Sequence, residues 1–454
     1  KDYSNPRAYR PISLLPTISK GLESIVAARL SYMAERYNLL PNNHFGARKH
    51  RSSEQALNVL VECIHQAWKT GKVLSLVTFD VQGAFNGVHR SVLCSRLRQA
   101  GIPEMMVAWI RSFCEGRAGK VIVGQYESAM RPIAHAGIPQ GSPLSPILYI
   151  FYNAGLVRGD IDASKGSLGF VDDFTTWVTT PSAMEGTSAI QRDVIPKIEQ
   201  WAEQSGATFD LEKTAFVHFV RPRSKVNAET SLKFRGVEVV SKPAVKLLGV
   251  ILDAHLNMSA HLEKVTLAAT KKCLAIGRLR DMRPRQKRQL FNAVVTPTTD
   301  YAASVWFYRG LKGSRRHLRR LERVQRLGAV MIIGAFRTVS FNVLQDEACL
   351  EAVEQRLTRK VARHAVDVMT TNQGHPIHKV LSLQEKGRYR SPLAHTILRY
   401  GSQAQEDGLV GMNSRLPYTV QPWTTLPPIV VPQSAEEAMK RYKDSLRTRK
   451  ALML

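Results

Sequence analysis

Phe170-Val171-Asp172-Asp173-Phe174 sets two adjacent carboxylates in an apolar neighbourhood that Trp177 and Val178 extend. The pattern predicts a buried hairpin over Ser167 to Thr179 with the acids at its tip. Upstream, a lone Asp80 ends the apolar run Val73-Leu74-Ser75-Leu76-Val77-Thr78-Phe79, which reads as a short strand. Carboxylates in apolar surroundings are costly unless something compensates their charge. Hard divalent cations are the natural compensation. Taken alone, an Asp-Asp pair reads better as a solvated turn, so its meaning comes from the rest of the chain.

Further stretches stand around it in a fixed order. Tyr9-Arg10-Pro11-Ile12-Ser13-Leu14-Leu15, Phe79-Asp80-Val81-Gln82-Gly83-Ala84-Phe85 and Gly137-Ile138-Pro139-Gln140-Gly141-Ser142-Pro143-Leu144-Ser145-Pro146 precede it. Lys213-Thr214 and Lys246-Leu247-Leu248-Gly249-Val250 follow. The series resembles the reverse transcriptases of non-LTR (LINE-type) retrotransposons, from about residue 5 to about residue 350. The resemblance implies an RNA-directed DNA polymerase, a nucleotidyltransferase that extends a primer 3′-hydroxyl with deoxynucleoside triphosphates on an RNA template. Its engine would be two Mg²⁺ ions, with Mn²⁺ as a substitute, roughly 3.5–4 Å apart and bridged by carboxylates.

Strands mixed with helices, without regular βα alternation, point to an α+β fold. The resemblance makes this a right-hand polymerase: fingers over 1–72, palm over 73–256 (with about 114–136 contributing to the fingers), a helical thumb over 257–370, and a connector or tail over 371–454.

The same resemblance assigns roles. Asp80 and Asp172 are the expected ligands of both metals, helped by the Val81 backbone carbonyl, and Asp173 supports the metal site. Asn43-His44-Phe45-Gly46-Ala47-Arg48 looks like a fingers motif in which Arg48 reaches the triphosphate; a surface arginine near a turn is the plain alternative. Phe85, five residues after Asp80, would pack against the sugar and exclude a ribose 2′-hydroxyl, or else is ordinary core. Pro139, Gln140 and Gly141 belong to a loop that positions template and nucleotide; glycines permit close backbone approach and Pro139 stiffens the turn. Lys213 would give a proton to pyrophosphate. Asp210 stands where relatives often have Asn, which leaves a salt-bridged surface lysine as a rival. Leu247, Leu248 and Gly249 resemble the primer grip. Asn86 stands where many relatives have Asp, and Phe170-Val171 replaces the commoner Tyr- or Phe-Ala pair.

Bulk properties agree with a nucleic-acid partner. The 454 residues carry 64 Lys and Arg against 37 Asp and Glu, a net charge of +27, which implies a polyanion. The excess is concentrated between Lys271 and Arg326, where only Asp281, Asp300 and Glu322 oppose it, a candidate phosphate-backbone surface. Five scattered cysteines without a Cys-x-x-Cys read as reduced core residues of an intracellular protein. No apolar run reaches membrane-spanning length, so no membrane partner is expected. The chain starts at Lys1 within motif territory, as a fragment would. Endonuclease and ribonuclease H domains are expected elsewhere in the full-length protein, RNA template and DNA primer or target as partners, and the nucleus as the place of action, with a cytoplasmic ribonucleoprotein stage.

Rival readings are a catalytically inactive polymerase-fold RNA-binding scaffold, an RNA polymerase copying RNA, which Phe85 argues against, and a structural basic protein, which leaves the ordered motifs unexplained.

Helical spacing predicts an inward face of Leu22, Ile25, Val26, Leu30 and Met33 over 20–35, and of Leu57, Leu60, Val61 and Ile64 over 53–68. Helices are also expected over Arg90–Phe113 and Ala189–Ser205, a hairpin from Val121, an amphipathic helix through Leu318, Leu321, Val324 and Leu327, a proline-marked linker at Pro422, Pro427, Pro428 and Pro432, and a charged helix over Ala435–Arg449.

Overall fold

The computed structural model of the chain describes residues 12–133, 137–222, 230–311, 313–382, 389–406 and 414–424, with a few isolated positions besides. Tyr9-Arg10-Pro11, the later linker prolines and most of the helix expected over Ala435–Arg449 lie outside them. The chain divides into two compact units, Lys1–Pro417 and Tyr418–Leu454. All that follows concerns the first.

Helices α1 (Thr17–Arg36) and α2 (Ser53–Lys69) precede strand β1 (Val73–Asp80). A capping box between Ser52 and Gln55 starts α2, and Leu57, Leu60, Val61 and Ile64 are buried as their spacing predicts. α1 departs from expectation. Leu22 and Ile25 are half exposed, while Glu23, Leu30 and Ala34 are buried. The helix turns Glu23 toward Ser142, whose hydroxyl donates to its carboxylate. A polar partner has overridden the apolar stripe.

The single helix expected over 90–113 is two, α3 (Arg90–Gln99) and α4 (Glu104–Phe113). Gly101 takes φ +82° and Pro103 supplies the N-cap of α4, so the chain turns there. β2 (Ala118–Gly119) pairs with β5 (Arg131–Pro132), and between them β3 (Ile122–Val123) and β4 (Tyr126–Glu127) form the expected hairpin. α5 (Ser145–Tyr152) and α6 (Ala154–Val157) lead into β6 (Lys165–Phe170) and β7 (Asp173–Thr180). α7 (Ala183–Ala189), a π-helical turn (Ile190–Val194) and α8 (Ile195–Ser205) extend the helix predicted from Ala189 toward its N-terminus.

β8 (Ala215–Phe219) completes an antiparallel four-stranded sheet in the order β6-β7-β1-β8. β1 is apolar along most of its length because both faces are covered. Leu74 and Leu76 enter one core with α2 and Trp177, and Val77 and Phe79 enter another with Phe174 and Val178. Two hairpins follow, β9 (Ser231–Phe234) with β10 (Val237–Val240), and β11 (Ala244–Leu247) with β12 (Val250–Asp253).

The remainder is helical: α9 (Ser259–Gly277), α10 (Pro284–Leu290), a second π-helical turn (Phe291–Val295), α11 (Thr296–Thr299), α12 (Ala303–Trp306), α13 (Ser314–Ile333), α14 (Phe341–Glu347), α15 (Val353–Met369), α16 (Pro376–Ser382) and α17 (Pro392–Glu406). α13 is amphipathic as predicted, burying Leu318, Leu321 and Val324 and exposing Arg315, Arg316, Arg319 and Arg323. The first unit runs on past residue 370 because the late helices pack back on α2. α16 packs against α2, and Ser391, just before α17, donates to Glu62 of α2.

Candidate active site

The register of β1 on β7 sets Asp80 directly opposite Asp173. Asp172 is in the tip of the β6–β7 hairpin, one residue before Asp173. Burial, then the charges of Asp172 and Asp80, push the Asp173 carboxyl up to about 6, against the opposing pull of Lys213 and Lys246. Asp80, Asp172, Asp173 and Asp210 share this end of the sheet with Lys213 and Lys246.

Lys213 is the cation in contact. Its Nζ lies 2.7 Å from Asp80 Oδ2 and 3.0 Å from Asp210 Oδ2. Its ammonium is held charged, foremost by the hydrogen bond to Asp80. The segment that carries it is tied to the end of β1: Gln82 N–H donates to Thr208 O and Asp210 N–H to Asp80 O, both at 2.8 Å. The Asp at 210 thus makes Lys213 a doubly paired lysine that is also in direct contact with the site.

The hairpin tip is held in a strained form. Val171 adopts φ +58°, a region unfavourable for a β-branched residue. Asn153 Nδ2 donates to Val171 O at 2.6 Å, and His44 Nε2 lies 3.0 Å from Asn153 Oδ1. Phe45 N–H donates to Gly169 O at 2.8 Å, and Asn43 Nδ2 reaches Val157 O and Ser167 O. A Cβ on Gly46 would lie 2.4 Å from Val171 N, so glycine permits this approach. The fingers-like stretch 43–46 therefore braces the acidic tip.

Arg48 ends that stretch but points elsewhere. It is buried in a bidentate pair with Glu35, 2.7 and 2.8 Å, and donates to Pro41 O at 2.7 Å. The expected contact with a triphosphate is not one its side chain is poised to make: its donors are committed to Glu35 of α1 and to the Pro41 carbonyl. Arg48 locks the loop that supports the hairpin.

Phe85 is half-buried with its ring 5.4 Å from that of Tyr149, so it is both packed on the core and partly open. Its carbonyl accepts from Ile138 N–H at 2.9 Å, and a Cβ on Gly137 would fall 2.2 Å from that carbonyl. The glycine-rich loop is thereby joined to the Phe85 turn. Pro139 is buried and its carbonyl accepts from Ser145 Oγ at 2.7 Å. Gln140 O accepts from Ser13 N–H at 2.9 Å, and Gly141 takes φ +109°.

Leu247, Leu248 and Gly249 form the turn of β11–β12, with Leu248 at φ +44° and Gly249 at φ +88°. β11 lies against β8 at the edge of the four-stranded sheet, with Leu247 sharing a core with Leu76 of β1 and Val217 of β8, and Asp173 feels the charge of Lys246. Sequence reasoning did not single out Lys246, Asn153 or His44. Lys246 and His44 lay inside quoted motifs, whereas nothing local to Asn153 marks it.

The donor set is hard oxygen with surplus negative charge, and an ammonium already occupies the position of a counterion on Asp80. These residues suit a divalent cation. Among the described residues no three His, Cys, Asp or Glu side chains form a ready-made cage. Mg²⁺ ordinarily takes one or two carboxylates and completes its shell with water and substrate phosphate.

Comparison with known proteins identifies the family. A probable RNA-directed DNA polymerase from transposon X-element of Drosophila melanogaster is 26% identical over 370 residues, 80% of this chain and 40% of that protein. A probable RNA-directed DNA polymerase from transposon BS of the same fly is 27% identical over 379 residues, with the same coverage of 80% and 40%. The chain thus spans about two fifths of these curated relatives. A solved telomerase from Candida albicans, in complex with a fragment of telomeric RNA, aligns at 12% identity and a TM-score of 0.41, covering 87% of this chain and 57% of that one. The profile of the reverse transcriptase (RNA-dependent DNA polymerase) family matches residues 1–252, a family whose members generally use divalent metal ions. This chain belongs to that family, and its mixed helix-and-sheet architecture is the family's right-hand polymerase fold.

Proposed function

We propose that this chain is the polymerase region of a non-LTR retrotransposon protein, extending a DNA primer with deoxynucleotides on an RNA template. The observation that carries the reading is the register that opposes Asp80 to Asp173 beside Asp172, with the Lys213 ammonium on Asp80. Nucleotidyl transfer needs positioning and charge neutralisation more than covalent chemistry. Two Mg²⁺ ions held by Asp80, Asp172 and the Val81 carbonyl, with Asp173 supporting them, would lower the pKa of the primer hydroxyl and neutralise the triphosphate.

The chain's own residues do the rest. Gly137 and Gly141 let the 137–145 loop come close to a nucleotide, and Gln140 presents its side chain to template or nucleotide. Phe85, half-buried against Tyr149, blocks a ribose 2′-hydroxyl. Lys213 donates a proton to pyrophosphate, a role worth roughly 10²–10⁴-fold. The β11–β12 turn supports the primer end. The exposed arginines of α13, with Lys271, Lys272, Arg278, Arg280, Arg283 and Arg285, face the phosphate backbone of the duplex. Target DNA places the reaction in the nucleus; among the described residues no helix is long and apolar enough to cross a membrane.

The test is primer extension on an RNA template with Mg²⁺, in separate deoxynucleotide and ribonucleotide lanes, beside Asp172→Asn. The expected result is DNA product that the substitution abolishes, with no ribonucleotide product. Product from ribonucleotides alone would overturn the role of Phe85. An RNA-binding protein without product would support the scaffold reading instead.

A further inference from the structure

We infer that Tyr301 is a positioning residue for the primer terminus, the outer end of a clamp that runs from α15 through Asp300 to the β11–β12 turn. The inference rests on the polymerase reading above and names a residue that reading does not use.

The turn needs an external hold. Leu248 and Gly249 both have positive φ, +44° and +88°. That two-residue geometry favours Asn-Gly, and leucine enters it at a cost. Tyr301 supplies the hold. Its hydroxyl donates to Leu248 O at 2.8 Å, and its ring packs 3.0 Å from where a Gly249 Cβ would sit. The same oxygen lies 2.9 Å from Ser53 Oγ at the start of α2.

Tyr301 is itself fixed from behind. Its carbonyl accepts from Trp306 Nε1 at 3.0 Å. The neighbouring Asp300 is 3% exposed and takes a bidentate pair from Arg356 of α15, 2.7 and 3.2 Å. Lys360 Nζ donates to Asp300 O at 2.6 Å, and Arg356 also reaches Gln325 of α13 at 2.6 Å. Buried charges joined in this way resist displacement, because separating them leaves a desolvated ion. Tyr301, by contrast, is 38% exposed, so its hydroxyl emerges from a rigid base at the surface of the turn.

The hairpin that carries the turn packs on the edge of the sheet whose β1 ends at Asp80, with Leu247 sharing a core with Leu76 and Val217. A primer 3′-hydroxyl resting on it must sit within about 3–3.5 Å of the phosphorus it attacks, and small misplacements are expensive in rate. Releasing the Leu248 carbonyl frees the turn without disturbing the Arg356–Asp300 base.

The experiment is single-turnover incorporation of one deoxynucleotide by the 454-residue chain, at saturating primer–template and nucleotide, for wild type, Tyr301→Phe and Ser53→Ala. A neutral hydrogen bond supports a loss of about three- to tenfold in the rate constant for Tyr301→Phe. The reaction amplitude and melting temperature should stay unchanged, and the loss should be larger on a mismatched primer end. Ser53→Ala, which keeps the Leu248 bond, should stay within about twofold of wild type. A loss confined to amplitude would reveal a merely structural role and overturn the inference. So would a Tyr301→Phe rate constant equal to wild type, or an equal loss in Ser53→Ala. A wild-type lane without product would bring down the polymerase reading itself, and the inference with it.

Discussion

Two hairpins flank the site, and they are held in opposite ways. The β6–β7 tip is acidic, strained at Val171, and braced through backbone groups by residues 43–46 and by Asn153. The β11–β12 tip is apolar at Leu248-Gly249 and held by one tyrosine hydroxyl that arrives from residue 301. In the proposed reaction the first hairpin carries the charges that do chemistry, and its supports should tolerate little change. In the same proposal the second presents backbone to the primer, and its support from outside is one side chain, Tyr301, through its hydroxyl and its ring. Damage to the first should be severe, and damage to the second should be graded.

Among changes that leave the carboxylates intact, Lys213→Ala should cost the most, about 10²–10⁴-fold in the rate of incorporation if it donates the proton. A lysine that merely neutralises Asp80 and Asp210 would be replaced by added Mg²⁺. Rescue by higher metal concentration would therefore assign Lys213 a counterion role alone.

Gly46→Ala comes next. Its Cβ must displace Val171 N, a backbone atom 2.4 Å away, and so must shift the acidic tip. A displacement of about 1 Å is worth on the order of a hundredfold in rate. RNA binding, if the basic helices carry it as proposed, should survive, which a filter-binding titration would show. Wild-type incorporation by this variant would mean that the brace has no part in placing Asp172.

These supports bear on what the sequence disclosed. The acidic hairpin, β1, α2 and the basic stripe of α13 were legible because alternation, helical spacing and short motifs are local signals. The orientation of α1 was not legible: Glu23 faces inward to meet Ser142, while Leu22 and Ile25 face out. Arg48 was read as a ligand-facing arginine, but Glu35, which captures it, carries no mark in the sequence. Tyr301 lay beyond reach for the same reason, since the groups that define its role are Leu248 and Arg356.

The smallest expected effect lies away from both hairpins and concerns stability. Glu62 is buried in the core around α2, and burial, partly offset by Ser391 and Lys69, pushes its carboxyl up to about 7. The folded chain holds this proton where the unfolded chain has already lost it. Stability from this group is therefore fully present below about 4.5 and is lost as pH rises through about 7. Glu62→Gln cannot titrate, so it should melt about 2 °C or more above wild type at pH 8 and lose that advantage by pH 5. A gap independent of pH would show that Glu62 does not titrate in this range.

The most direct measurement is the single-turnover rate of deoxynucleotide incorporation on an RNA template for wild type, Asp80→Asn and Asp172→Asn, with melting curves alongside. If the carboxylates facing each other across β1 and the β6–β7 hairpin are the polymerase centre, each substitution should cost on the order of a thousandfold or more while the fold melts normally. Incorporation at the wild-type rate by either folded variant would contradict the account.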